Sequence, residues 1–402
     1  MNWKKQFYLI FTGQSISLLG SRMAQFAIVW YLIETTNSAS IIALSSAIGI
    51  LPEAIIGPFA GVIVDRYSRK RVMILSDALV GLGALVLAIA YFLGNLSLPL
   101  LFIVLGFRSI SNAFHKPAYI ALTPNIVPED QLLRVSGLNQ SLAALTQILG
   151  PVLGILVLSL SNLSVLMLID VIGAMFACLT LLKVKLKEVV NNEVLSLNDF
   201  KEDLKQGYIS LTSNQGIFII ILLAMLLNFL ATPMSTLMPL LSTNHFNGDG
   251  FHASLINSLI GVGMIIGGIL IATLLSKLPQ TKIIFVGVIL IGLFKSSIAL
   301  LQSNHFILFS IILFCIGILV TLVNGPLFAL IQKEIKQEYL GRTTALITSV
   351  ATIAAPLGLI LMGPLSEIFG IQTIFLSSGL IFALAGILVY IKFNKVIIAL
   401  DN

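Results

Sequence analysis

Twelve apolar stretches, each long enough to cross a bilayer, follow one another along this 402-residue chain. A membrane-spanning helix needs about 20 consecutive, mostly apolar residues. The runs lie at about 8–33, 40–64, 72–94, 98–118, 138–160 and 163–182, then 216–242, 254–276, 281–302, 306–332, 343–365 and 371–393. Composition agrees: 57% of residues are hydrophobic and 10% charged, against about a quarter charged in a soluble domain. The expected fold is an all-α integral membrane protein of 12 transmembrane helices. The short basic start, Trp3-Lys4-Lys5, leads into a span-length run with no small-residue cleavage site, so it reads as the first helix rather than a removable signal.

Basic residues test this map, because they collect on the cytoplasmic side of a membrane. Of 23 Lys and Arg, 20 fall on one side when the spans alternate, including Lys4, Lys5, Arg66, Arg69, Lys70, Arg71, Lys116, Arg134, Lys183, Lys333 and Lys395. The opposite loops hold none. Both termini are therefore expected in the cytoplasm of a multi-pass cell-membrane protein. The net charge of +6 then sets topology and faces anionic headgroups, and no nucleic-acid partner is implied. Cys178 and Cys315 sit in apolar runs, and the four histidines lack metal-ligand spacing, so neither a disulfide framework nor a metal site is expected.

A polar stretch divides the chain into residues 1–182, a linker at 183–215, and residues 216–402. Within the linker Leu197, Phe200, Leu204 and Tyr208 recur at helical spacing, which fits a surface amphipathic helix as well as a solvated tether. The two halves repeat. Pro117, Arg134 and Pro151 recur as Pro326, Arg342 and Pro356, offset by 209, 208 and 205 residues. A six-helix unit used twice is a transporter architecture whose site lies near the membrane midplane.

Charged side chains inside the membrane cost about 2.5–3.5 kcal/mol each at a span centre, so each asks for a role or a partner. Arg22, Glu53 and Arg108 fall mid-span and Asp170 in the outer half of span 6. Lys295 falls near enough to a span end to snorkel. Arg22 and Glu53 share a depth on adjacent spans and are expected to pair. Glu53 is the best carboxylate for exchanging a proton: burial and a neighbouring arginine act on it in opposite senses. A purely structural salt bridge is the alternative. Pro151 removes a helix hydrogen bond, and Gly150 and Gly154 permit close helix approach; Gly263 and Gly267 in span 8 share their spacing. A hinge and static packing are both open readings. Gln14, Gln25, Phe26, Asn139, Asn228, Phe229, Asn324 and Phe328 are candidates to line a mostly apolar substrate pocket.

The loop Gly61-Val62-Ile63-Val64-Asp65-Arg66-Tyr67-Ser68-Arg69-Lys70 resembles the signature loop of the major facilitator superfamily, with Ser68 where glycine is expected. Arg108 stands where the superfamily has its intramembrane arginine. Gly150-Pro151-Val152-Leu153-Gly154 is similar to the motif of drug–proton exchangers, although Thr146 and Ile155 replace common glycines. Gly13-Gln14-Ser15 to Ser21, Phe107-Arg108-Ser109 through Phe114-His115, and Val127-Pro128-Glu129-Asp130-Gln131-Leu132 look like the bacterial macrolide-efflux group. The resemblance implies two pseudo-symmetric six-helix bundles working by alternating access as a monomer. It implies proton-coupled efflux of small amphipathic drugs, with no cofactor and the proton gradient as energy source. Asp65, Arg66, Arg69 and Asp77 would form a gating charge cluster, Arg108 would assist proton transfer, and the glycines of spans 5 and 8 would face each other. A solute importer, or a siderophore or lipid exporter, fits the same fold. No Gly-x-x-x-x-Gly-Lys-Ser/Thr loop is present, which argues against an ATP-driven pump, and no nucleophile–base pair suggests an enzyme.

Overall fold

The computed structural model describes residues 2–184, 205–206, 208–275, 278–335, 337–398 and 400. Leu197, Phe200 and Leu204 of the linker lie outside these residues; Tyr208 is helical, within 208–213. Six long helices precede the linker: α1 (Trp3–Thr36), α2 (Ala39–Arg66), α3 (Arg69–Phe92), α4 (Leu98–Leu122), α5 (Leu132–Leu160) and α6 (Leu163–Lys183). Six follow: α7 (Gln215–Asn244), α8 (Gly250–Leu270), α9 (Gln280–Ile298), α10 (Phe306–Glu334), α11 (Gln337–Phe369) and α12 (Ile371–Ile398). Among the described residues, twelve helical segments are long and apolar enough to cross a membrane. They match the apolar runs in order, with ends displaced by at most about six residues. Helix is the form a spanning segment takes because hydrocarbon offers the backbone no partner.

The helices form two compact units, Met1–Asn37 with Ser45–Val194 and Ser38–Leu44 with Leu195–Asn402. In the first, α1 packs on α5 and α6, while α3 packs on α4 and α6. In the second, α7 packs on α11 and α12, while α9 packs on α10 and α12. Adding six to each helix number turns one set of pairs into the other, so the proline and arginine repeat in the sequence marks a repeat in packing. The start of α2 counts with the second unit, where the Ser40 N–H donates to the Glu367 carboxylate at 3.0 Å.

Lipid tails are as apolar as leucine, so helices in a membrane associate through close fit rather than through escape from water. Small residues supply that fit. A Cβ built on Gly173 of α6 meets Ser17 Cα of α1 at 3.1 Å, and one on Gly20 of α1 meets Asp170 Cα of α6 at 3.3 Å. In the second unit a Cβ on Gly317 of α10 would lie 2.2 Å from the Ile260 carbonyl of α8. Tight reversals use the left-handed region that glycine enters freely: Gly94 between α3 and α4 has φ 71°, and Gly370 between α11 and α12 has φ 84°. Ser68 sits at φ −57° and accepts a hydrogen bond from the Arg71 N–H, capping α3. Serine in place of the signature glycine therefore costs no strain and adds a cap.

Candidate functional site

Four acids of the first unit were singled out above; side chains are described for three of them. Asp170 is fully buried on α6 and pairs with Arg108 of α4 at 2.5 Å. Ser21 of α1 donates to its other oxygen at 2.8 Å. One carboxylate thus joins three helices, with a donor on each oxygen. Asp77 of α3 has 9% of its side chain exposed. Gln14 of α1 donates to Asp77 Oδ2 at 2.9 Å, and His115 of α4 places Nε2 3.3 Å from Asp77 Oδ1. Glu53 of α2 is the most accessible of the three, with 23% of its side chain exposed. Asp65 belongs to α2, and its side chain lies outside those described.

The expected Arg22–Glu53 bond is absent. Glu53 instead forms an ion pair with Lys116 of α4, and its backbone N–H donates to Ser109 Oγ at 3.0 Å. Arg22 reaches Gln25 of its own helix at 3.5 Å, with the Glu53 charge in coulombic range. Lys116 lies in α4, which ends at Leu122, and its long stem carries the amine to the acid. The Pro52 ring, which has no N–H to give, sits just before this contact.

The basic residues of the signature loop do a definite job at the end of the bundle that carries Trp3 and Lys183. Helix ends leave four carbonyls without partners. Arg69 Nη1 donates to the Ala121 carbonyl at the end of α4 at 3.0 Å. Lys70 Nζ donates to the Val184 carbonyl beyond α6 at 2.7 Å. Each cation meets the negative end of a helix dipole and ties α3 to a neighbour. Arg66 is exposed at the end of α2.

The glycines of the Gly-Pro motif face α1. A Cβ on Gly150 would lie 2.7 Å from Arg22 Cβ, and one on Gly154 would lie 3.2 Å from the Met23 carbonyl. Gly263 and Gly267 of α8 press on α10 in the same way, against the Phe314 and Ile318 carbonyls at 2.3 and 2.5 Å. The two rows expected to face each other thus each form a seam within their own unit. Helix α5 runs unbroken through Pro151.

Candidate pocket residues divide. Gln14 and Phe26 are buried, and Gln14 is committed to Asp77. Asn139 accepts from the Tyr119 hydroxyl at 2.9 Å. Gln25, Asn228, Asn324 and Phe328 are exposed, and Phe229 is half-buried. Lys295 does not snorkel: it is buried in the last turn of α9, its amine 4.3 Å from the centre of the Phe382 ring. Sequence reasoning missed the partners Lys116, Ser21 and His115. It placed Gln14 at a pocket rather than on an acid.

The family model described as Major Facilitator Superfamily matches residues 10–359. Over 379 residues the chain is 36% identical to Macrolide efflux protein A of Streptococcus pyogenes, covering 94% of this chain and 93% of that one. It is 35% identical to Macrolide efflux protein A of Enterococcus faecalis, covering 80% of this chain and all of that one. Identity to the multidrug efflux pump Tap of Mycobacterium bovis is 25%, covering 93% and 90%. Among solved structures, a bacterial homologue of the iron transporter ferroportin in an inward-facing state superposes with a TM-score of 0.75 at 16% identity, covering 97% and 99%. The nucleoside transporter NupG gives 0.70 at 17%, covering 98% and 99%; these two likenesses concern the fold.

Proposed function

Because this chain belongs to the Major Facilitator Superfamily, as a multi-pass membrane transporter and not an enzyme, we propose that it exports amphipathic drugs, macrolides first among them, in exchange for protons. The observation that carries the substrate class is the extent of likeness to a macrolide-efflux protein, 36% identity along nearly the whole of both chains. A binding site exposed to one side of the membrane and then the other would move drug outward as a proton moves inward. One charge crossing 100 mV yields about 2.3 kcal/mol, so a proton gradient suffices without a nucleotide site. The excess of basic residues on one side supports cytoplasmic termini.

Glu53 is the acid proposed to exchange. Its side chain is 23% exposed, against 9% for Asp77 and none for Asp170, so a proton or a drug reaches it most easily. In the resting state Lys116 neutralises it. A proton arriving on the carboxylate cancels that attraction and frees the amine; its departure restores the pair. Arg108 and Asp170, the acid enclosed with a donor on each oxygen, act as a clamp that keeps α1, α4 and α6 in register. The test is Glu53→Gln in proteoliposomes with an imposed pH gradient. Gradient-driven macrolide transport should fall to background while the protein still inserts and folds. Wild-type rates from this variant would remove Glu53 from the mechanism, and a wild-type protein indifferent to the gradient would remove proton coupling.

A further inference from the structure

A second site for a proton lies in the first unit, nearer than Glu53 to the bundle end that carries Trp3. Gln14, Asp77 and His115 come from three helices and meet at one depth. Counted from the bundle end that carries Trp3, they lie about 16, 12 and 10 Å along α1, α3 and α4, at 1.5 Å per residue. Asp77 and Gln14 are buried and His115 is half-buried. Gln14 Nε2 donates to Asp77 Oδ2, which leaves Oδ1 to the histidine. His115 Nε2 lies 3.3 Å from that oxygen, yet it is enclosed and makes no hydrogen bond. The spacing is that of an ion pair. In the Nδ1–H tautomer of the neutral imidazole, Nε2 and the carboxylate oxygen are both acceptors, so nothing joins them until a proton reaches Nε2. A single proton entering the gap makes a charge-assisted hydrogen bond.

The surroundings leave this gap to the pair. Among the described residues, Asp77 is the only acid in contact with His115. Arg108 and Lys116 on the same helix are engaged by Asp170 and Glu53. From α6 the thiol of Cys178 bonds to the Ile74 carbonyl and lies within electrostatic range of Asp77. From α1 the facing group is the neutral amide of Gln14. Histidine is the one side chain whose unperturbed titration falls between pH 5 and 8.

We propose that Gln14, Asp77 and His115 form a second proton-binding site, in which one proton is held between His115 Nε2 and Asp77 Oδ1 and sets the pH dependence of transport. The proton bridges α3 to α4, and Gln14 extends the bridge to α1, so its arrival stiffens that side of the bundle and its loss loosens it. His115 and Asp77 exchange the proton; Gln14 is a positioning residue that directs Oδ1 toward the imidazole. The inference rests on the proton-coupled reading above.

Two measurements separate the inference from that reading. The first follows the imidazole signals of histidine-labelled protein in detergent against pH, with His115→Gln identifying the His115 signal. A His115 signal whose response to pH changes in Asp77→Asn supports the site. A His115 signal indifferent to pH, or one whose response ignores Asp77→Asn, overturns it, whatever drives transport. The second measures labelled erythromycin uptake into everted vesicles from pH 5.5 to 8.5 under a fixed gradient. His115→Gln is expected to flatten the profile while leaving equilibrium drug binding in detergent within about threefold of wild type, because the affinity change that threefold represents is under 1 kcal/mol. A variant with the wild-type profile refutes the inference and leaves proton coupling standing. Gln14→Glu, which places a second acid beside Asp77, serves as the control that must shift the profile if the triad is the sensor.

Discussion

The Arg108–Asp170 pair supplies the sharpest number. Asp170 has no exposed side-chain surface and Arg108 has 11%. Asp170→Asn keeps the shape and the Ser21 contact but leaves the arginine charge enclosed without a counter-charge. Breaking a buried pair by removing one partner costs about 3–5 kcal/mol, and an arginine at a span centre carries a comparable penalty on its own. Removing both charges together, as in Arg108→Met with Asp170→Leu, should restore stability to within about 1–2 kcal/mol of wild type, since apolar replacements of a buried pair are often neutral. The cycle therefore carries a coupling energy of at least about 2 kcal/mol, well above the few tenths expected for independent sites. Reversible denaturation of wild type, Arg108→Met, Asp170→Leu and the double variant in one detergent reads it. Additive single and double changes, or an Asp170→Asn variant that loses under about 1 kcal/mol, would refute the clamp. Export by the double variant would further show that the clamp is structural and that the proton is carried elsewhere.

Three other outcomes follow from the geometry. Gly317→Ala places a methyl 2.2 Å from the Ile260 carbonyl; overpacking costs about 1–3 kcal/mol, and this backbone contact should sit at the upper end, read as lost thermal stability of purified protein, whereas Gly57→Ala meets open space and should be silent. Arg69→Ala removes the donor to the Ala121 carbonyl and should cost about 1.5 kcal/mol, the lower end for a charged donor because the site is half-buried, with Arg69→Lys intermediate in the same melt. The Asp249 carboxylate at the start of α8 is held below its usual range, first by the His252 backbone N–H and then by the His252 side chain. A depressed acid contributes stability that is present above its unfolded value of 3.8 and lost as pH falls through the lower folded value. Amide exchange at residues 250–254 should therefore be pH-insensitive from 7 to 5, apart from the intrinsic rate, and accelerate only on stronger acidification.

The order and number of spans were legible because length and apolarity determine them directly, and the proline–arginine repeat foretold the repeated helix pairing. What the charged residues touch was not legible, because a span's rotation about its axis leaves no trace in its composition. Glu53 illustrates this: depth matching suggested Arg22, yet the contact belongs to Lys116 of α4. The glycine rows show the same limit, since spacing reveals that a helix approaches closely but not which one. Depth did carry a signal that went unused. Gln14, Asp77 and His115 each lie roughly 10–16 Å from one bundle end by simple rise, and a search for polar residues at equal depth would have grouped them.

Accumulation of a labelled macrolide in pump-deficient cells expressing this chain, with and without a protonophore, tests the central claim most directly. Accumulation should lie below that of cells lacking the chain and return to their level when the protonophore collapses the gradient. Accumulation equal to that of the control cells would contradict macrolide export, and low accumulation untouched by the protonophore would contradict its coupling to protons.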